Sequence, residues 1–253
     1  MVALLSRLLA SNLGAPARRG IRALRTRLMQ PSPVLQPERL YLYLDALWRT
    51  RQLSGAVVEV GCYRGGTTLT ANKFAERIGS SRPYLAIDTF SGFDATQFDV
   101  DAKHGTATSL RSAFSDNSFA HVRAALDRYG GQRVQLLQGD IVSLPEASLP
   151  EKISVALIDV DLDVPVYEGL RRLFHRLERG GIMLVDDCPE QTAWAGARVG
   201  YRRFVQERAL QESYVFGMGV VASAEASGLA VELGAHGQTA AAQGASAERA
   251  ALG

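Results

Sequence analysis

Acidic residues follow nearly every short apolar run of this 253-residue chain, at the position where the run ends. These acids are Glu59, Asp88, Asp140, Asp159, Asp161, Asp163, Asp186 and Asp187. Ligands of doubly wound α/β proteins bind outside the carboxyl ends of the parallel strands, so acids at those ends would meet at one edge of a sheet. The alternative interpretation of each acid is N-capping of the helix that follows, which aspartate does well.

Three of these acids predict a metal site. Asp159 follows the fourth apolar run, and Asp186 and Asp187 follow the fifth. Carboxylates that lie close together repel each other unless a cation or protons neutralise them. Oxygen donors without cysteine or a histidine pair favour Mg²⁺, with Mn²⁺ or Ca²⁺ as alternatives. A metal held there would orient a substrate hydroxyl and lower its pKa.

A glycine-rich turn follows the first apolar run. Glu59 lies two places before Gly61, and Gly65 precedes the next amphipathic stretch. Glycines at a strand-to-helix turn let a ligand approach the backbone closely. The chain has neither the Gly-x-Gly-x-x-Gly of dinucleotide sites nor a Walker Gly-Lys-Ser/Thr, which counts against another nucleotide-dependent α/β enzyme.

Further residues near these turns are candidates for binding a nucleoside. Asp88 ends the second run, where such folds place an acid that accepts hydrogen bonds from ribose hydroxyls. Asp140 ends the third run and could contact an adenine amino group, with a simple turn residue as the alternative. Tyr63 could line the same pocket and contact a cationic ligand through its ring. Packing at the turn is the alternative for Tyr63.

The elements that must position these residues follow from periodicity. From Ala56 onward, short apolar runs alternate with amphipathic stretches, which is typical of a doubly wound, mostly parallel sheet. The predicted strands are Ala56–Val60, Tyr84–Asp88, Val134–Leu137, Ile153–Asp159 and Ile182–Asp186. The predicted helices are Thr67–Ile78, Asn117–Tyr129, Pro165–Arg179, which Gly180 and Gly181 would end, and Trp194–Ala209.

Two further segments complete this α/β expectation. Tyr214–Ala222 and Gly228–Leu233 predict a C-terminal hairpin at the sheet edge, with one antiparallel strand. Phe90–Asp116 has no clear period and predicts a long loop on the ligand side, either a lid or a substrate-binding loop.

Charge and composition suggest three parts. Residues 1–37 contain six arginines and no acid, which leaves 22 basic and 26 acidic residues elsewhere and gives no reason to expect nucleic-acid binding. This basic extension could pack on the domain or a partner subunit, lie on a membrane surface or act as a transit peptide. Residues 38–235 would form the catalytic domain, and 236–253 an Ala/Gly-rich disordered tail. Two cysteines without paired spacing make a reducing cytoplasm the default expectation.

Five motifs, in this order and spacing, resemble those of the macrocin O-methyltransferase family. They are Val58-Glu59-Val60-Gly61, Ala86-Ile87-Asp88-Thr89-Phe90-Ser91-Gly92-Phe93, Phe114-Ser115-Asp116-Asn117-Ser118-Phe119, Ile158-Asp159-Val160-Asp161-Leu162 and Val185-Asp186-Asp187-Cys188. The resemblance covers about residues 55–210. It implies a Rossmann-like class I methyltransferase fold, dependence on S-adenosylmethionine (SAM) and Mg²⁺, methylation of sugar hydroxyls on natural products, and a homo-oligomer.

The resemblance also implies roles for individual residues. Asp159, Asp186 and Asp187 would be the metal ligands. The residues that would hold SAM are Glu59, Gly61, Asp88 and Asp140. The chain departs from the family pattern at Asp163 and Tyr167, where an aromatic residue and later a lysine or similar polar residue are usual, so the acceptor could differ from macrolide sugars.

The predicted reaction is an in-line displacement at the sulfonium methyl group, with the attacking oxygen held about 3 Å away. Asp161, two residues beyond a proposed metal ligand, is a candidate proton acceptor. His104, in the long loop, is another, although a solvated loop residue is its alternative interpretation. A non-catalytic module that keeps this fold for assembly is the remaining alternative to an enzyme.

Overall fold

A computed structural model describes residues 30–190 and 192–223 of the chain. The strands are β1 (Ala56–Val60), β2 (Tyr84–Asp88), β3 (Val134–Gln138), β4 (Ile153–Ile158), β5 (Leu177–Val185), β6 (Tyr214–Val215) and β7 (Met218–Ala222). The α-helices are α1 (Pro37–Arg49), α2 (Gly66–Arg77), α3 (Ala95–His104), α4 (Phe119–Tyr129), α5 (Asp163–Phe174) and α6 (Ala195–Glu207). No helix within these residues has the length and apolar character needed to cross a membrane.

The strands form one seven-stranded sheet in the order β3-β2-β1-β4-β5-β7-β6. β1 to β5 pair in parallel, whereas β7 is antiparallel to β5 and to β6. Every residue of β1 and β4 is buried, as expected for central parallel strands that are covered on both faces. The predicted α/β class with an antiparallel C-terminal hairpin is therefore confirmed.

The sheet separates two apolar layers. On one face, α1, α2 and α4 contribute residues such as Leu42, Leu69 and Leu126. On the other face, α5 and α6 contribute residues such as Leu170 and Phe204. Because helices pack against both faces of the sheet, the carboxyl ends of the parallel strands are held at fixed relative positions.

The predicted boundary between α5 and β5 is wrong. The helix ends at Phe174 rather than at Arg179, and β5 begins at Leu177. Leu177 pairs with Ile153 of β4, and the register then shifts, so that Ile182 pairs with Val155. Gly180, with a φ of +82°, lies in this irregular part of the strand instead of ending the helix. Residues 177–179 fit the helical spacing of the sequence, but they form part of β5 because the strand pairs with β4.

The predicted C-terminal hairpin lies at a different place. The run Tyr214–Ala222, expected as one strand, is split into β6 and β7 by Phe216 and Gly217. Both residues have positive φ angles, 52° and 76°. Two central residues with positive φ are what a tight two-residue hairpin turn requires. The segment 228–233, and the tail 236–253, lie outside the described residues.

Two helices were not predicted. α1 begins with Pro37 and buries Leu42, Tyr43, Ala46 and Leu47 on one side. The segment Phe90–Asp116, expected to be irregular, contains α3.

α3 has clear local signals at both ends. The Asp94 side chain caps its first turn by accepting hydrogen bonds from the amides of Thr96 and Gln97. Gly105 follows its C-terminus with a φ of 113°. Phe98, in the middle of the helix, is fully buried and holds it against the domain.

Candidate active site

A cavity of about 290 Å³ lies at the carboxyl ends of the parallel strands. It brings together eight of the eleven residues that the sequence predicts for the site. They are Gly61, Tyr63, Asp88, Asp140, Asp159, Asp161, Asp186 and Asp187. Glu59, Gly65 and His104 are not among the residues that line it.

The backbone at this edge of the sheet is strained. Tyr63, Asp161 and Asp187 follow β1, β4 and β5, and each has a positive φ of between 46° and 62°. Such conformations are costly for residues other than glycine and cluster at functional sites. Gly61 allows a close approach of two strand ends, because a Cβ atom there would lie 1.8 Å from the carbonyl oxygen of Asp159.

Asp88 joins the turns that follow β1 and β2. Its Oδ2 accepts a hydrogen bond from the Tyr63 amide at 2.7 Å, and its Oδ1 accepts one from the Phe90 amide at 2.7 Å. Burial raises the pKa of Asp88, and these two backbone hydrogen bonds partly offset the rise. Each carboxylate oxygen has a second lone pair, so the side chain can also accept hydrogen bonds from a ligand's hydroxyl groups.

Asp140 is a turn residue that also lines the cavity, and its contact with an adenine amino group stays a prediction. Its Oδ1 accepts a hydrogen bond from the Val142 amide at 2.9 Å, which makes it a turn residue. Its Oδ2 accepts a hydrogen bond from Nε2 of Gln97, on α3, at 2.5 Å. Asp140 and Gln97 both line the cavity, so their amide and carboxylate groups form a polar pair at the end of β3.

Tyr63 ties the glycine turn to the segment that covers the cavity. Its hydroxyl donates to Asp116 at 2.6 Å, and its carbonyl oxygen accepts from Nδ2 of Asn117 at 2.8 Å. Arg64 forms an ion pair with the same Asp116. The Tyr63 ring meets Phe114 edge to face at 5.1 Å. These contacts fix the position of Tyr63 at the cavity.

Four carboxylates crowd the ends of β4 and β5. Burial raises the pKa of Asp159 and of Asp161 well above the usual range, and the neighbouring aspartates raise both further. Burial, followed by the charge of Asp187, raises the pKa of Asp186 to about 6, which the nearby Arg39 partly counteracts. The cluster therefore favours protons or a cation among its oxygens.

A cation is already present in the form of Arg39. Its Nη1 lies 2.7 Å from Oδ1 of Asp186 and 2.9 Å from Oδ1 of Asp187. Its Nε donates to the Phe216 carbonyl at 3.2 Å. Arg39 belongs to α1 and is 6% exposed. No feature of the sequence predicted this contact.

The predicted metal ligands are brought together without forming a coordination shell. Among the described residues, no three His, Cys, Asp or Glu side chains are arranged to hold a metal ion. The donor chemistry fits a divalent cation, because the cluster offers hard carboxylate oxygens in a buried, mutually repelling group. Asp186 and Asp187 each direct Oδ1 at the Arg39 guanidinium instead.

Glu59 lies behind the glycine turn rather than in the cavity. It is 1% exposed and accepts a hydrogen bond from the Tyr84 hydroxyl at 2.5 Å. That hydroxyl is also 2.8 Å from the hydroxyl of Tyr43 on α1. Burial raises the pKa of Glu59 to about 7. Alternation along β1 directs this side chain into the layer that contains α1.

Gly65 and His104 also lie outside the cavity lining. Gly65 has a φ of 77° at the start of α2, where a Cβ atom would press on Val122 at 3.2 Å. Nε2 of His104 lies 3.2 Å from Oδ2 of Asp163, and Nη2 of Arg203 lies 3.1 Å from the other oxygen. The geometry of His104 suits a link between α3, α5 and α6 rather than contact with a substrate.

The departures from the family pattern do not face the cavity. Asp163 is buried beneath α3, and its amide donates to Oδ1 of Asp101 at 2.9 Å. The hydroxyl of Tyr167 donates to Glu207 at 2.5 Å on the outer surface. Neither residue is among those that line the cavity.

Three aromatic side chains that the sequence analysis did not assign to the site line one part of the cavity. Phe93, Phe114 and Trp194 meet pairwise with ring centroids 5.3 to 5.7 Å apart. We call these three residues the aromatic wall. Phe93 and Phe114 come from the segment between β2 and α4, whereas Trp194 precedes α6, so only the folded chain brings the three together.

The sheet order, the antiparallel last strand and the glycine turn beside a ligand cavity define a class I SAM-dependent methyltransferase fold. Solved structures with this fold include the O-methyltransferase NovP, with a TM-score of 0.64 and 19% identity over 74% of this chain and 79% of that one. The calicheamicin methyltransferase CalS11 matches with a TM-score of 0.61 and 20% identity over 83% and 94%. No curated protein sequence matches this chain.

Family membership is shown by the sequence itself. The chain belongs to the Macrocin-O-methyltransferase (TylF) family, whose sequence pattern matches residues 44–216. The protein is therefore a SAM-dependent O-methyltransferase. This assignment sets aside a different nucleotide-dependent enzyme and a non-catalytic module.

Proposed function

We propose that this enzyme transfers the methyl group of SAM to a hydroxyl of a sugar or glycosylated natural product, with Mg²⁺ at the aspartate cluster. The observation that supports this most is the shared cavity. It joins Asp88 and Asp140, which suit a nucleoside, to Asp159, Asp161 and Asp186, which suit a hydroxyl group and a cation. Donor and acceptor would therefore meet in one space.

The donor side would be bound by the turns after β1, β2 and β3. Gly61 lets the ligand approach the backbone, and the carboxylate of Asp88 would accept hydrogen bonds from the ribose hydroxyls. Asp140 and Gln97 offer an acceptor and an amide for the edge of the adenine. SAM would supply an electrophilic methyl group when bound, and these residues would hold its nucleoside.

The acceptor side would be organised by the aspartates. Asp159, Asp186 and Asp187 would hold the metal, which when bound orients the acceptor hydroxyl and lowers its pKa. Asp161 lines the cavity, is 7% exposed, and has a pKa that burial and Asp187 raise. A carboxylate whose pKa lies closer to the working pH is a stronger proton acceptor once it is ionised. Asp161 would take the proton of the acceptor hydroxyl as the oxygen attacks.

The aromatic wall supports a glycoside acceptor. The C–H faces of a sugar ring are apolar and pack against aromatic rings, while its hydroxyls need polar partners. Phe93, Phe114 and Trp194 offer the first kind of surface in the same cavity as the aspartates, which offer the second. One solved relative, CalS11, is described as a TDP-rhamnose 3'-O-methyltransferase.

The test is an acceptor screen with SAM. The protein is incubated with SAM, Mg²⁺ and a panel that pairs each glycoside with its aglycone, and mass spectrometry detects the gain of one CH₂ per product. Methylation of glycosides and not of aglycones, abolished by EDTA and restored by Mg²⁺, is expected. Methylation of an aglycone hydroxyl alone would contradict the sugar assignment, and turnover that resists EDTA would contradict the metal assignment.

A further inference from the structure

Arg39 occupies an unusual position for a helix arginine. One nitrogen, Nη1, lies within 2.9 Å of both Asp186 and Asp187, two of the three proposed metal ligands. The side chain is buried and lines the cavity. By contrast Arg49, at the other end of α1, pairs with Asp45 at the surface. Both arginines belong to α1, but of the two only Arg39 reaches the cavity at the strand ends.

The guanidinium is held from two sides. Its Nε donates to the carbonyl oxygen of Phe216, at the turn between β6 and β7. Its backbone belongs to α1, which Tyr43 and Leu47 anchor fully buried in the core. Movement of α1 as a whole would expose these side chains, so we expect the guanidinium to leave by rotation of the Arg39 side chain.

The guanidinium of Arg39 partly neutralises the two carboxylates, as a divalent ion would at the same place. It lowers the repulsion between Asp186 and Asp187 and occupies oxygens that a metal would need. The same contact can have the opposite effect, since a hydrogen-bond donor behind a ligand often orients it for the metal. The geometry favours competition, because the same nitrogen contacts one oxygen of each of two proposed ligands and lies where a bridging metal would be needed.

We propose that Arg39 is a built-in competitor of the divalent cation. Its guanidinium holds Asp186 and Asp187 in a closed pair, and the metal binds after the Arg39 side chain rotates away. The aspartate cluster is therefore never left uncompensated, and metal affinity depends on α1 as well as on the ligands. This inference rests on the metal assignment made above, and it assigns a function to a residue outside the matched family region.

The first experiment measures Mn²⁺ binding to the SAM-free protein by calorimetry and by electron paramagnetic resonance. Arg39→Gln removes the competing charge, so its Kd for Mn²⁺ should fall about tenfold or more, since affinity is reduced by the fraction of protein in the closed pair. Arg39→Lys keeps a cation and should bind closer to wild type. Arg49→Gln, on the same helix, is the matched control and should not change the Kd. An unchanged or weaker affinity in Arg39→Gln would overturn the proposal.

A second experiment follows the wild-type protein itself, and a variant serves only to assign the signal. The Nε–H signal of Arg39, assigned by its absence in Arg39→Lys, is followed by NMR as Mg²⁺ is added. Loss of the hydrogen bond to the Phe216 carbonyl should shift this signal at saturation. A signal that stays in place while Mg²⁺ binds would also overturn the proposal.

Failure of this inference can be distinguished from failure of the metal assignment. Tight Mn²⁺ binding by wild type that Arg39→Gln does not alter would reject competition and leave a metal enzyme. No Mn²⁺ binding by any variant, together with turnover that resists EDTA, would reject both.

Discussion

The cavity has a half proposed to bind SAM, around Asp88 and Asp140, and a half proposed to bind the acceptor, around Asp159, Asp161, Asp186 and Asp187. These donor and acceptor halves neutralise their acids in different ways. In the donor half, both oxygens of Asp88 accept backbone amides, and Asp140 accepts an amide and Gln97. In the acceptor half, four aspartates face one another and one arginine. The donor half is thus preorganised by the fold, whereas the acceptor half stores charge repulsion that a proton or cation relieves.

This difference explains why the two halves should respond differently to substitution. Changes in the donor half should weaken SAM binding and leave the chemical step nearly intact. Changes in the acceptor half should slow the chemical step or weaken acceptor binding, with SAM bound normally.

The largest effect is expected for Asp161→Asn. An amide cannot take the hydroxyl proton, and loss of a general base typically costs about 10²- to 10⁴-fold in kcat. The SAM affinity, measured by calorimetry, should stay close to wild type because Asp161 lies in the acceptor half. Full activity of the variant at neutral pH would remove Asp161 from the mechanism and leave the proton acceptor to be found elsewhere.

Glu59→Gln tests a buried acid that belongs to neither half. The folded state holds the Glu59 proton more tightly than the unfolded state, with a pKa of about 7 against the usual 4.5. Its stabilising contribution is present below the unfolded pKa and is lost as the pH rises to about 7. Each pKa unit corresponds to about 1.4 kcal/mol, so the total change is about 3 kcal/mol.

The measurement is urea unfolding of wild type and Glu59→Gln at several pH values. Between about pH 4 and about pH 8, the free energy of unfolding of the variant should improve relative to wild type by about 3 kcal/mol. Parallel pH profiles of the two proteins would mean that folding does not shift the pKa of Glu59.

Asp88→Asn probes the donor half. Hydrogen bonds to a charged group contribute about 1.5 to 3 kcal/mol each, and the amide also turns one acceptor oxygen into a donor beside the backbone amides. The KM for SAM should therefore rise about tenfold to a hundredfold, while the KM for the acceptor changes little. Equal losses for both substrates would show that the two halves are not independent.

Trp194→Ala is the matching test of the acceptor half and should have the smallest effect. Removing one ring from the aromatic wall should cost about 1 kcal/mol of contact with a sugar, which is a few-fold to about a tenfold rise in the KM for the acceptor. The Kd for SAM should not move. An unchanged KM for every glycoside would place the acceptor away from this wall.

The sequence alone determined the α/β class and the position of the central strands. β1 and β2 lie where their apolar runs predict, because central parallel strands are buried on both faces and must read as continuous apolar segments. The predicted strands also placed the acids at the strand ends. Eight of the eleven predicted site residues line the cavity. These features depend on local pattern and on a topology that the pattern implies.

Only the tertiary structure decided which charges meet. Arg39 and the aspartates it contacts are 147 and 148 positions apart, and no periodicity relates them. The same holds for the aromatic wall and for the contact of His104 with Asp163, since each joins elements from distant parts of the chain. Glu59 lies outside the cavity lining for a related reason. A strand pattern shows that a residue is buried, whereas the packing of helices on each face decides whether it meets a ligand or the core.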